Sequence, residues 1–114
     1  LIAWRSNMSD VKESFYRNFE QALSAMKDGR KVAREEWNFF DDCSHLVFVS
    51  LCPGVADLPS EKFWNPHNRK FAEGLGTACV EPYFSKVTEA ATVMMGWVPT
   101  AADILAEDWL ILAD

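Results

Sequence analysis

The chain has 114 residues, enough for one folded domain and too few for two. Hydrophobic residues make up 49% and charged residues 25%, proportions that exclude a disordered tail or a collagen-like fibre. Seventeen acidic and eleven basic residues give a net charge of −6, which disfavours non-specific binding to a nucleic-acid polymer but still permits a small anionic ligand.

The first predicted element is an amphipathic helix. Asn18 and Gln21 have the spacing of a capping box, and Asp10 with Glu13 offers an earlier start. Gly29 stands where a C-terminal cap is expected. Apolar residues follow the spacing of one helical face: Phe15, Phe19, Ala22, Leu23 and Met26.

Strand character dominates the rest of the chain. The run His45–Leu51 is apolar, β-branched and aromatic, which is typical of a buried strand. Pro99 or Thr100 can start a short helix. Further strands are predicted at 31–37, 79–88, 92–98 and 109–112, with a loop at 38–42. The pattern predicts an α+β fold, in which an N-terminal helix precedes a mostly antiparallel sheet with a short helix before the last strand.

Residues 53–78 are predicted to be a long loop insertion. More than half of the glycine and proline residues lie between Pro53 and Gly76. Loops longer than ~12–15 residues are usually functional or disordered, and the aromatic residues here favour an ordered one. The expected organisation is therefore an N-terminal extension, 1–17, followed by a single domain, 18–114.

The sequence predicts neither a membrane protein nor a secreted one. No window reaches the ~18 apolar residues of a membrane span, and the first residues do not resemble a signal peptide. Cys43, Cys52 and Cys79 cannot all pair within one chain and show no CxxC spacing. Reduced cysteines in a cytoplasmic protein are the simplest interpretation.

Motifs for metal binding and catalysis are weak. Cys43 and His45 could be two ligands, with His67 far along the chain, but structural zinc usually has four ligands in recognisable pairs. Neither a GxSxG motif nor a glycine-rich phosphate loop is present. We therefore predict no metal site, no cofactor and no catalytic residue.

The tryptophans suggest a binding site more strongly. Trp37 and Trp97 lie at the ends of predicted strands, where flat rings suit stacking on a nucleobase. The alternative is that large rings fill a small core, which we expect for Trp109 within its apolar strand.

Two blocks of sequence together resemble a phage family. Phe19–Asn38 has a helix, a basic turn and a Val-Ala-Arg strand that ends in Trp-Asn. Trp97–Trp109 has a tryptophan followed by a threonine, an aspartate and Leu-Ala-Glu-Asp-Trp. Both blocks resemble the second type of Thoeris anti-defence protein, a family of small phage sponges for immune signalling nucleotides.

The resemblance implies a function. It implies binding of a cyclic ADP-ribose isomer made by bacterial TIR-domain enzymes, and sequestration of this signal in the host bacterial cytoplasm so that the Thoeris effector stays inactive. Some relatives resemble sponges for the cyclic dinucleotides of a CBASS-type pathway. Family members are homo-oligomers, typically tetramers, that hold the ligand between protomers.

The resemblance also suggests roles for individual residues. Trp37, Phe39 or Trp97 could stack on the purine. Asn38 and Asp103 could bind the base edge or the ribose hydroxyls. For Asp103, the alternative is a solvated carboxylate on a helix face.

The phosphates of such a ligand need cations or helix N–H groups. Thr100, near a helix N-terminus, could receive a phosphate, although it could equally be only a helix cap. Arg34, Lys62, Arg69 or Lys70 could supply positive charge.

Two functions from other classes remain open. The first is an enzyme that degrades the same signal. The second is a protein-interaction module in which the aromatic residues of 62–71 dock a partner.

Overall fold

A computed structural model describes residues 16–38 and 45–114. The predicted N-terminal extension up to residue 15, the predicted stacking residue Phe39 and the cysteine Cys43 lie outside these ranges. So do the possible helix start at Asp10, the apolar residue Phe15 and residues 39–42 of the predicted loop.

The predicted first helix is confirmed as α1, Phe19–Lys27. The Asn18 side chain accepts a hydrogen bond of 2.8 Å from the Gln21 backbone N–H, and the Asn18 N–H donates to Gln21 Oε1 at 3.0 Å. Gly29 has a φ of 87° just after the helix, a conformation that glycine adopts without strain. The capping box and the chain reversal are thus encoded locally.

The strand bounds are β1 Lys31–Arg34, β2 Phe48–Cys52, β3 Val55–Pro59, β4 Thr77–Val80, β5 Tyr83–Val87, β6 Val93–Trp97 and β7 Trp109–Leu112. The main sheet has five of these strands, in the order β6-β5-β2-β1-β7. Strand β1 pairs antiparallel with β2 and with β7, and β5 pairs antiparallel with β6. The predicted α+β fold is confirmed.

Two of the predicted strands are not continuous strands in the structure. The strand predicted at 31–37 ends at Arg34, and Glu35–Asn38 forms a 3₁₀ helix. The strand predicted at 79–88 is two strands, β4 and β5, with Pro82 between them; proline cannot donate a ladder hydrogen bond. The short helix before the last strand is confirmed as α3, Ala101–Leu105.

The prediction of an irregular loop at 53–78 is wrong. This segment contains β3, a 3₁₀ turn at Ser60–Lys62, helix α2 at Pro66–Leu75 and most of β4. Strands β3 and β4 pair antiparallel with each other. Proline occupies the first turn of α2 and Gly76 follows its end, so these residues delimit a helix rather than break one.

The chain divides into two compact units. One comprises the described residues up to Leu51 together with Phe84–Asp114, and the other is Cys52–Tyr83. In the second unit only Ala72 is fully buried. Gly54, with a φ of 86°, lies so close to the backbone that an added Cβ would be 2.5 Å from the Val80 carbonyl oxygen, so this position requires glycine.

The core of the first unit lies where α1 packs on β1 and β7. It contains Ala22 and Met26 from the helix and Val32, Ala33, Leu110 and Leu112 from the sheet. Burial of these side chains is what makes the amphipathic face of α1 stable. Within the residues that the structure describes, no helix has the length and apolar content needed to span a bilayer.

Candidate functional site

A continuous row of aromatic rings crosses the first unit. Successive ring centroids are separated by 5.5, 5.2, 5.8 and 6.2 Å, and the last three contacts are close to perpendicular. Edge-to-face geometry places the positive edge of one ring against the negative face of the next. In order, the row is Phe19, Trp109, Trp37, Trp97 and Phe84.

The three tryptophans of the row are buried. Trp109 has no exposed surface, which confirms the prediction that it belongs to the core, and its indole N–H donates to the Asp103 backbone oxygen at 2.9 Å. Trp37 and Trp97 retain 9% and 8% of their surface. They combine core packing with a small accessible area, and stacking on a base stays a prediction.

Lys86 lies against the two tryptophans that were predicted to stack. Its Nζ is 4.0 Å from the Trp37 ring centroid and 6.0 Å from that of Trp97. A cation at this range is attracted by the negative ring face. Sequence reasoning missed Lys86. Its position two residues after Phe84 on a strand was the available signal, because such residues share a sheet face.

A glycine bulge sets the direction of Trp97. Phe84 pairs with Trp97 and the next residue, Ser85, pairs with Met95, so Gly96 is an extra residue in β6. Gly96 has a φ of 90°. Because side chains alternate across a strand, the extra residue moves Trp97 to the face that carries Phe84 and Lys86.

The guanidinium of Arg34 is shared by three carboxylates. Its Nη1 lies 3.0 Å from Asp103 Oδ1 and 3.0 Å from Glu36 Oε1, and its Nε lies 3.0 Å from Asp108 Oδ1. The Arg34 side chain is 13% exposed. One positive charge therefore faces three negative ones, which hold the Arg34 guanidinium within its own chain, and contact with a pyrophosphate stays a prediction.

Thr100 and Asp103 form a second capping box. The Asp103 N–H donates to Thr100 Oγ1 at 3.2 Å, and the Thr100 N–H donates to Asp103 Oδ2 at 2.9 Å. Burial raises the pKa of Asp103, but the hydrogen bonds from Thr100 and Arg34 outweigh it, so that the pKa lies below its ordinary value. Asp103 is thus an ionised anchor for both α3 and Arg34.

Asn38 is the buried amide of the site. It is 1% exposed; its Nδ2 donates to the Val47 carbonyl at 3.1 Å, and its Oδ1 accepts from the Val47 N–H at 2.8 Å. Both ends of the amide are used inside the chain, in a pattern that mimics a strand ladder. The structure therefore gives Asn38 an architectural role, and contact with a base edge stays a prediction.

The predicted loop cations belong to the second unit. Arg69 lies on α2 and donates two hydrogen bonds to the Phe63 carbonyl, at 3.2 and 2.9 Å. Lys62 is the last residue of the 3₁₀ turn at Ser60–Lys62, and Lys70 lies in α2. Across residues 16–38 and 45–114, no cluster of three or more metal-binding side chains is found, and the Cys52 and Cys79 thiols are free.

Comparison with known proteins identifies the family. The family model of the Thoeris anti-defense 2-like domain matches residues 17–112. A curated protein named Thoeris anti-defense 2, from Bacillus phage SP01, is 28% identical over 99 residues, which cover 84% of this chain and 94% of that protein. The match includes both blocks that first suggested the resemblance. The chain therefore belongs to the Thoeris anti-defense 2-like family, whose role is phage anti-defence.

Proposed function

We propose that this protein is a non-catalytic sponge that binds and sequesters an immune signalling nucleotide, a cyclic ADP-ribose isomer, in the cytoplasm of the infected cell. Removal of the signal would leave the Thoeris effector inactive. The observation that carries the proposal is the perpendicular pair Trp37 and Trp97, 5.8 Å apart, with the ammonium of Lys86 on the Trp37 ring. Aromatic rings beside a cation match a ligand that has a flat base and phosphates.

The other predicted residues support this pair in the proposal. Asn38 fixes the end of the 3₁₀ helix that carries Trp37, through its hydrogen bonds to Val47. Arg34 and Asp103 join β1 to α3, which follows Trp97 in the chain. The two rings are thus held by rigid neighbours, which lowers the entropic cost of binding.

The ionised state of Asp103 supports binding over turnover. A general acid or base works best with a pKa near the operating pH. The pKa of Asp103 is instead lowered, against the effect of its burial, by hydrogen bonds from Thr100 and Arg34, so at neutral pH this carboxylate only accepts. Its ion pair with Arg34 further fixes it in a structural position.

We also propose that the protein is a homo-oligomer, typically a tetramer as the family resemblance implies, with the ligand held between protomers. Strand β6 is an edge of the main sheet, and its Val93, Met94 and Met95 are 63%, 49% and 51% exposed. An exposed apolar edge strand is a surface suited to association. Light scattering that gave only a 12.9 kDa monomer at micromolar concentration would contradict this part of the proposal.

The experiment that tests the function is ligand retention. The protein is incubated with isomers of cyclic ADP-ribose and with cyclic dinucleotides, separated from free ligand by gel filtration, and denatured; the released molecules are then weighed by mass spectrometry. We expect one cyclic ADP-ribose isomer to be retained. Retention of a cyclic dinucleotide alone would assign the CBASS-type signal instead, and retention of nothing would contradict the proposal.

A second candidate function rests on the unit Cys52–Tyr83. Trp64, Phe71 and Leu75 are 83%, 66% and 67% exposed there, beside the cations Lys62 and Lys70. Apolar side chains this exposed often mark a protein-binding surface. Capture of a protein partner that needs no nucleotide and is lost in Trp64→Ala would favour an interaction module over the sponge.

A further inference from the structure

We infer that Lys86 selects the ligand of this site: its ammonium covers the Trp37 ring and transfers to a ligand phosphate when a base takes its place on the ring. The inference rests on the proposed function and deepens it, because it states which chemical features a ligand must combine. The required ligand is both planar and anionic.

The first step of the argument is geometric. The Lys86 Nζ lies 4.0 Å from the Trp37 centroid and so occupies the space over the ring that a stacked base would need; the ammonium and a base therefore compete for one ring face. Trp37 is only 9% exposed with Lys86 in this position. A base can therefore reach this face only if Lys86 moves.

The second step concerns charge. Arg34 has three carboxylate neighbours, whereas no carboxylate within the described ranges forms an ion pair with Lys86. The Lys86 side chain is half-buried on β5, with ring faces as its partners. An ammonium whose partners among the described residues are ring faces gains a stronger, charge-assisted hydrogen bond when a phosphate oxygen comes within reach.

The third step concerns the route of the motion. Lys86 pairs with Met94 in the register of β5 and β6, and Met94 is half-exposed at the sheet edge. A lysine has a flexible stem of four methylene groups. The ammonium can therefore leave the Trp37 ring by rotation of its own side chain, without a change in the strand.

These steps predict opposite responses to two kinds of ligand. When a nucleotide displaces the ammonium from the Trp37 ring, the ligand phosphate becomes its new partner. When a neutral nucleoside displaces the ammonium, the contact with the ring is lost and no anionic partner replaces it. Lys86 should thus favour the nucleotide and disfavour the nucleoside.

The test compares Lys86→Met, which removes the charge and keeps a similar apolar stem, with the wild type by calorimetry. The probes are the cyclic ADP-ribose isomers and adenosine. We expect Lys86→Met to weaken nucleotide binding about 10- to 100-fold, the range of a hydrogen bond to a charged group, and to leave adenosine binding equal or stronger. Lys86→Arg keeps the charge and should restore most of the nucleotide affinity.

The matched control is Lys31→Met, because the Lys31 Nζ lies 5.1 Å from the Phe48 ring centroid in a similar contact elsewhere on the sheet. It should change nucleotide binding less than twofold, as a contact remote from the ligand does. Equal losses for the nucleotide and adenosine in Lys86→Met, or no loss at all, would overturn the inference and leave the sponge function standing. If the wild type retains no isomer, the sponge function fails, and the inference fails with it.

Discussion

Arg34 and Asp103 stand 69 positions apart in the sequence and are joined by a hydrogen bond of 3.0 Å between Nη1 and Oδ1. This contact joins the two sequence blocks that carry the family resemblance, Phe19–Asn38 and Trp97–Trp109. It also anchors α3, because Asp103 caps that helix through Thr100. The pair is therefore a brace that stabilises the fold, and its predicted contacts with a phosphate and a ribose stay predictions.

The Asp103 brace predicts a pH-dependent stability. Because the folded state lowers the pKa of Asp103 below 3.8, the stabilisation is complete above that pH and is lost as the pH falls through the lowered pKa. Asp103→Asn should cost about 2 kcal/mol of unfolding free energy at pH 7 and flatten the acid dependence. Urea unfolding between pH 2 and 7 measures both, at roughly unit intervals of pH.

The control for the pH experiment is Glu89→Gln, at an exposed turn between β5 and β6. It should shift stability by less than about 0.5 kcal/mol and keep the wild-type acid dependence. An Asp103→Asn protein whose stability still falls with acid as steeply as the wild type would contradict the assigned role of the carboxylate.

The two buried hydrogen bonds of the Asn38 amide predict that removal of this side chain lowers the stability of the protein strongly. Asn38→Ala would leave the Val47 N–H and carbonyl without their side-chain partners, at a cost of about 1–3 kcal/mol for each buried group. Chemical denaturation gives the value. Asn68→Ala, on the exposed side of α2, should cause no loss because alanine is the better helix former. If Asn38→Ala weakened nucleotide retention at unchanged stability, the amide would be a ligand contact instead.

The positive φ of Gly96 predicts that a side chain at this position strains the backbone even though it meets no steric clash. Apart from its two chain neighbours, no heavy atom of the residues that the structure describes lies within 4 Å of a Cβ added at Gly96, but the φ of 90° is unfavourable for any other residue. Gly96→Ala should therefore destabilise the protein by about 1–2 kcal/mol and misdirect Trp97. Gly74→Ala, in helix α2 with equally open surroundings, should stabilise it by about 0.5–1 kcal/mol. Equal effects of the two substitutions would rule out strain as the cause.

The aromatic row predicts that affinity and stability respond to different rings. Trp109→Phe should lower stability by about 1–3 kcal/mol, because it removes the N–H bond to the Asp103 oxygen, and should leave retention unchanged at equal folded fraction. Trp37→Phe and Trp97→Phe should weaken retention more than Trp109→Phe does, since they carry the stacking faces. Retention that follows the folded fraction in all three variants would show that the row serves only as core.

Local features of the sequence were sufficient for much of the fold. The Asn18–Gln21 box, the Trp109 strand and the short helix after Thr100 depend on neighbouring residues and were predicted. The helix α2 was missed because proline and glycine were read as loop residues, although Pro66 and Gly76 stand at the two ends of the helix, where both are tolerated.

The contacts that define the site cannot be predicted from local features of the sequence. The contact between Lys86 and Trp37 depends on the strand order, which brings residues from distant parts of the chain to one face. The three carboxylates around Arg34 likewise come from the 3₁₀ helix, α3 and the residue before β7. Sequence spacing gives no information about such pairing, so the three carboxylate partners of Arg34 could not be predicted.

The most direct test of the central claim is the mass of the nucleotide that the protein gives back. The protein is saturated with the retained cyclic ADP-ribose isomer, freed of excess ligand, held for increasing times and then heat-denatured. A sponge with no turnover should return the intact mass at every time, in an amount equal to that bound. A linearised or hydrolysed product that grows with time and with protein concentration would contradict the account and identify an enzyme.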